Sequence, residues 1–177
     1  LGNIERQKQA TLLKLVTENA DFINLINNEY YTKNKQLIIP SVIQKIALIA
    51  SPNSEGYHDF IHTLLNNQFN YTFRVDHYFS SVQGEDAERE LVNKLINIYE
   101  SKVEYDIVVL VRGGGAKIDF MVFDSYMLSK AVAKFPIPII TGIGHHQDVS
   151  IVDLMAHTST KTPTKVAEFI IANNRSF

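Results

Sequence analysis

Residues Tyr105–Asp119 read YDIVVLVRGGGAKID, and this stretch decides the fold. Ile107, Val108, Val109, Leu110 and Val111 form a continuous, mostly β-branched apolar run. A run of this length without alternation suits a central strand covered on both faces. It breaks at Arg112, and Gly113, Gly114 and Gly115 follow at once. Glycines there let the backbone turn and come close to a ligand. Arg112 sets a planar guanidinium at the mouth of the turn, a shape matched to bidentate contact with phosphate or carboxylate. A helix-like pattern comes next, with Met121, Ser125, Leu128 and Val132 on one face. Strand, glycine loop and helix together make a candidate anion site, since free N–H groups at such a junction attract negative charge. A tight strand-to-helix turn with a surface arginine accounts for the same residues, and one glycine-rich loop does not decide between them.

On either side of this stretch the pattern repeats. Ile46–Ala50 is a short apolar run ending at Ser51-Pro52, followed by a helical pattern from Gly56 to Asn67 with Phe60, Ile61, Leu64 and Leu65 as core candidates. Tyr71–Phe79 alternates like a strand and ends in the polar residues Ser80–Gly84. Glu85–Glu100 reads as a helix with Leu91, Leu95 and Ile98 inward. Pro136–Thr141 supplies a fourth strand, ending at Gly142-Ile143-Gly144. Upstream, Leu12, Leu15, Val16, Ile23 and Ile26 recur near helical spacing and predict one long helix over 3–28, then a polar loop and Pro40. The fold expected is α/β: a Rossmann-like parallel sheet of at least four strands with helices on both faces, preceded by a long N-terminal helix. Residues 1–43 are read as the N-terminal helix and linker, and 44–177 as the α/β domain.

Right-handed crossovers put the C-terminal ends of all strands on one edge. The loops at 51–59, 81–86, 112–119 and 142–148 therefore gather along one crevice. They carry Asp59, Arg112, His145, His146 and Asp148, with Ser51, Gly113, Gly114, Gly115 and Gly144 as candidate phosphate-binding positions. Arginine, histidine and two carboxylates around glycine backbone suit hydrolysis of a phosphoryl group. The arginine and N–H groups stabilise charge, and histidine moves protons near neutral pH. Helix capping and a hydrogen-bonded histidine also account for His145–Asp148. Two further readings of the crevice stay open: a small-molecule phosphohydrolase, and a non-catalytic phosphate- or nucleotide-binding module. His58 and His62 stand four apart on a predicted helix, a metal-compatible spacing with no third ligand at a recognised distance. His77 falls in a strand pattern and reads as a packed or surface residue.

The 177 residues suit one domain with a sizeable core, and 45% hydrophobic with 20% charged residues is ordinary for a globular chain. The absence of cysteine excludes disulfides and thiolate zinc sites. No apolar run is long enough to span a bilayer. A net charge of −2 is not the footprint of a stand-alone nucleic-acid binder. Leu1 at the start and a helical pattern still running near Phe177 predict a piece of a longer protein.

Five segments then combine. They are IALIASPNSEGYHD (46–59), VQGEDA (82–87), VRGGG (111–115) with Asp119 and Phe123, IPIITGIGHHQDVSIVD (137–153), and Thr162-Pro163 with Ala167-Glu168. In this order they resemble the large subunit of bacterial exodeoxyribonuclease VII. The resemblance implies a cytoplasmic nuclease that degrades single-stranded DNA from either end to oligonucleotides with 5′-phosphates. By motif position it implies catalytic roles for Asp59, Arg112, His145 and Asp148. It leaves metal dependence open, with Mg2+ the candidate ion and Asp59 and Asp148 its candidate ligands. His146-Gln147 stands where that family commonly has glutamate-threonine, Ala116 where serine is usual, and His157 where an acidic residue is common. The family also carries an N-terminal OB-fold domain and a C-terminal helical region that recruits small subunits. Neither is part of these residues, so small-subunit binding and much of the DNA capture are expected outside them. No membrane association is implied.

Overall fold

The computed structural model describes residues 2–144 and 149–177. Its elements run α1 (Gly2–Glu18), β1 (Ile23–Ile26), β2 (Glu29–Thr32), β3 (Lys45–Ala50), α2 (Glu55–Leu65), β4 (Arg74–Phe79), α3 (Ala87–Glu100), β5 (Ile107–Arg112), α4 (Tyr126–Lys134), β6 (Ile139–Ile143), α5 (Ile151–Met155), β7 (Thr158–Thr160) and α6 (Pro163–Arg175). Short 3-10 turns occupy Asn34–Gln36 and Lys117–Asp124. Five strands form one parallel sheet in the order β4-β3-β5-β6-β7, while β1 and β2 form a separate antiparallel hairpin. This is the Rossmann-like α/β sheet with helices on both faces that the strand–helix alternation predicts.

The central strands explain why. Ile107–Val111 in β5 are all buried, and alternate residues feed two cores. Val108 and Leu110 pack with Leu12, Leu15, Leu91, Leu95, Leu128 and Val132 from α1, α3 and α4. Ile107, Val109 and Val111 pack with Phe60, Leu64, Val166 and Ile170 from α2 and α6. A strand apolar on both sides has nowhere to sit except between two helical layers. Helix α6 lies so close to β6 that a Cβ on Gly142 would meet Val166 Cγ2 at 2.4 Å and the Thr162 carbonyl oxygen at 2.7 Å.

Several boundaries differ from expectation. The N-terminal helix is present but ends at Glu18, where Asn19 folds its side-chain amide onto the Leu15 carbonyl at 2.9 Å. The expected continuation to residue 28 is instead the β1–β2 hairpin. Asn27 and Asn28 turn it with φ of 53° and 64°, a left-handed pair that asparagine tolerates. Ile23 and Ile26 mimic a helical period, yet Ile26 is 53% exposed. The helix expected around Met121–Val132 is two pieces, because Ser125 is extended and separates the 3-10 turn from α4. Strand β4 starts at Arg74 rather than Tyr71, after Asn70 with φ 57°. Leu65, expected in the core, is 55% exposed. β7, three residues without an apolar pattern, has no counterpart in the sequence reading.

Candidate active site

All five sheet strands point the same way, so the loops after β3, β4, β5 and β6 open on a single edge. Their backbones touch. A Cβ on Gly56, in the first turn of α2, would lie 2.7 Å from the Gly113 nitrogen. The Gly144 N–H donates to the Arg112 carbonyl at 2.7 Å. Side chains at these positions would wedge α2, the glycine loop and the end of β6 apart. None of Gly113, Gly114 and Gly115 has positive φ, so the loop uses glycine for close approach rather than for left-handed backbone. Gly115 makes the point: a Cβ there would stand 2.8 Å from Nη2 of Arg112. Gly114 faces open space.

Arg112 is folded into this arrangement, with its side chain only 10% exposed. Nη2 donates to Oε1 of Gln83 and lies 3.9 Å from Oδ2 of Asp119. Nη1 reaches the carbonyls of Gly113 and Gly114 at 3.4 and 3.5 Å. The guanidinium carbon stands 4.9 Å over the Phe120 ring. Nε is buried with no hydrogen-bond partner among the described residues. Burial pulls the Arg112 pKa below its ordinary value, and Asp119 opposes that shift. Arginine stays protonated regardless, so a desolvated positive charge faces the crevice, with Asp119 at 3.9 Å as its counter-charge among the described residues.

Asp119 is braced for its part, accepting from the Ala116 N–H at 3.2 Å. Neither Gln83 nor Asp119 is singled out as a site residue by the sequence reading. The only sequence signal for Gln83 is its place in the VQGEDA segment, since nothing in spacing foretells that a loop after the edge strand reaches across β3 to the end of β5. Thr141 in the middle of β6 donates to Oδ1 of buried Asp153 at 2.6 Å, and Oδ2 accepts from the Ser150 N–H at 3.1 Å. Asp153 thereby ties β6 to the start of α5.

Of the expected site residues, Arg112, Gly113, Gly114, Gly115 and Gly144 are brought together. Ser51 follows β3 in the turn that leads to α2, with its carbonyl accepting from Ser54 Oγ at 2.9 Å, while Ser54 Oγ caps the Tyr57 N–H at 3.2 Å. Asp59 is exposed in the second turn of α2, three residues beyond the Gly56 that abuts Gly113, hence on a neighbouring part of the helix surface. His145, His146 and Asp148 lie outside the described residues. Among the described residues no three His, Asp or Glu side chains gather as a metal-binding set. His62 instead has Nδ1 3.2 Å from the Asn66 amide nitrogen. No helix among the described residues is long and apolar enough to cross a membrane.

The family model described as "Exonuclease VII, large subunit" matches residues 30–177. The chain is 37% identical over 135 residues to the exodeoxyribonuclease 7 large subunit of Pseudothermotoga lettingae, covering 76% of this chain and 34% of that protein. It is 37% identical over 144 residues to the same subunit of Nitrosomonas eutropha, covering 81% of this chain and 30% of that one. With the Lactobacillus helveticus subunit it shares 31% over 173 residues, covering 98% and 36% respectively. The chain spans about a third of the length of these curated relatives.

Proposed function

The chain belongs to the exonuclease VII large-subunit family, and from that premise we propose that its crevice hydrolyses phosphodiester bonds of single-stranded DNA from either end, leaving 5′-phosphorylated oligonucleotides. The observation that carries this reading is Arg112, a cation 90% withdrawn from water whose partners among the described residues are a neutral amide, two distant carbonyls, the Phe120 ring and a carboxylate at 3.9 Å. A phosphodiester oxygen entering beside it brings a second negative charge, closer than Asp119 at 3.9 Å. As water adds to phosphorus, negative charge grows on the non-bridging oxygens, and a preorganised guanidinium stabilises that charge more than the ground state. Backbone N–H groups at Gly113–Gly115 and the Ser51 turn are proposed to hold the same phosphate.

His145 is the proposed proton-transfer residue. It takes a proton from the attacking water or returns one to the leaving 3′-oxygen, so that the P–O3′ bond breaks and the phosphate stays on the 5′ side. Asp59 and Asp148 are proposed to orient the water and the imidazole. If Mg2+ takes part, these carboxylates are the ligands to examine. The described residues do not by themselves form a donor set for an ion. We place the enzyme in the cytoplasm, with its small subunits bound through parts of the large subunit outside these residues.

The test is a pair of single variants in the full-length large subunit with its small subunit, assayed on single- and double-stranded DNA. His145→Ala loses about 10²–10⁴-fold in rate on single strands. His146→Ala loses about tenfold or less, an indirect effect of at most roughly 1.4 kcal/mol. An inactive His146→Ala beside an active His145→Ala reverses the two roles and overturns the assignment.

A further inference from the structure

Beside the crevice lies a surface that the catalytic proposal does not use. On edge strand β4, His77 and Phe79 point to the α2 side and stack with ring centroids 5.5 Å apart and planes 8° apart. Tyr57, in the first turn of α2, meets both edge-on, at 5.6 and 5.3 Å, and His58 lies 5.2 Å from Tyr57. Phe79 is 40% exposed, and His77 and His58 are exposed as well.

Edge strands are ordinarily shielded by charge. The N-terminal end of β4 follows that rule, with Arg74 paired to Asp76 at 2.9 Å. Its C-terminal end carries bare rings instead. That end is level with the catalytic loops: Phe79 pairs with Ala50, and Ala50 directly precedes Ser51. β3 separates β4 from β5, so Phe79 stands two strand spacings, about 10 Å, from the strand that delivers Arg112. Tyr57 follows Gly56, whose backbone abuts Gly113. Ring cluster and glycine loop therefore both adjoin the first turn of α2.

We propose that Phe79 and His77, buttressed by Tyr57, form a stacking platform for unpaired bases of the DNA strand whose phosphate lies at Arg112. The proposal rests on the reading of the crevice as a single-strand nuclease site and deepens it. The two rings stack on each other, so the pair extends a stack through its outer faces, and every base has a face to continue it, which makes such contact indifferent to sequence. A base in a duplex already has both faces covered. The platform thus gives a physical basis for preferring single strands, which a phosphate-binding arginine alone does not.

The experiment measures binding of a single-stranded oligo-dT and of an abasic oligonucleotide of equal length by fluorescence anisotropy. It uses the full-length large subunit with its small subunit, in excess EDTA and at one salt concentration. Phe79→Leu keeps the apolar volume and removes the ring, and thermal unfolding checks that it folds. His77→Ala is the second variant. Each is expected to weaken oligo-dT binding by about tenfold, within the range for one aromatic–base stack, and to leave abasic binding within about twofold. Equal losses on both oligonucleotides, or no loss on either, overturn the platform. Loss of small-subunit association in the variants also overturns it, because the rings then serve a protein interface. Cleavage of oligo-dT by the wild type, scored separately without EDTA, tests the nuclease reading. Cleavage with unchanged binding in Phe79→Leu sinks the platform alone, whereas absent cleavage sinks the nuclease reading.

Discussion

The two edges of the sheet are built by opposite rules. At the N-terminal edge, polar side chains are saturated by backbone. Wholly buried Asn34 donates to the carbonyls of Phe135 and Ile137 at 2.9 and 2.8 Å and accepts from the N–H groups of Ile139 and His157 at 3.0 and 2.8 Å. Asp106, just before β5, accepts from the N–H groups of Gln44 and Lys45, both at 2.8 Å. Asn174 at the end of α6 bonds both backbone groups of Ile43, at 2.7 and 2.8 Å. At the C-terminal edge glycines let the strand ends and α2 come into backbone contact, and Arg112 keeps a buried Nε without a partner among the described residues. Closed hydrogen bonding fixes strand ends in register, whereas unfinished bonding leaves room for a substrate's oxygens to complete it. The first edge holds the fold and the second is left for chemistry.

The largest effect that tests this contrast is at Arg112. Lysine keeps the charge but loses the planar fork that reaches Gln83 and the glycine carbonyls together. In the full-length enzyme Arg112→Lys should lose roughly 10²–10³-fold in rate on single-stranded DNA, by analogy with removing an oxyanion donor. Its melting temperature should stay near that of the wild type. Near-normal turnover would reduce Arg112 to a general electrostatic attractor. A large fall in melting temperature would make the crevice edge as structural as its opposite.

Asn34→Ala should show the reverse pattern. It strands two carbonyls and two N–H groups that the amide now serves, and at about 1 kcal/mol each the loss is about 4 kcal/mol of stability. Denaturant unfolding reads this directly. Activity per folded molecule should be unchanged, since no described crevice residue bonds to Asn34. A loss below about 1 kcal/mol would mean that water replaces the amide at little cost, and that the clamp is incidental.

The same contrast explains what the sequence made legible. The apolar runs at Ile46–Ala50 and Ile107–Val111 announce buried central strands because burial on both faces leaves no polar position. Once the strands are parallel, the convergence of Arg112 with the glycine loops follows from topology. The hairpin at 23–32 was hidden because two isoleucines three apart satisfy a helical period as well as a strand, and only Asn27-Asn28 marked the turn. Asn34 read as ordinary loop polarity, since its four partners come from segments a hundred or more residues away. Gln83 was hidden for the same reason. Long-range polar contacts leave no periodic trace, whereas apolar burial does.

The smallest effect concerns the one histidine at the closed edge. His157 fits the neutral tautomer with its proton on Nε2, which donates to the Leu37 carbonyl at 2.9 Å while Nδ1 accepts from the Thr158 hydroxyl at 2.8 Å. Burial lowers its pKa below the ordinary 6.5, and nearby Lys35 adds to this while the Leu37 bond opposes it. As pH falls below 6.5 the unfolded chain therefore takes up a proton before the folded one does. Where the unfolded state binds more protons, stability rises with pH. The contribution of His157 is accordingly full above 6.5 and is lost as pH falls through its folded value. His157→Gln removes the titration and leaves an amide that can still donate to the Leu37 carbonyl. Between pH 7 and pH 5 the melting temperature should fall further for the wild type than for the variant. Equal falls would show that His157 accepts its proton in place, and that this edge is less tightly closed than its hydrogen bonds suggest.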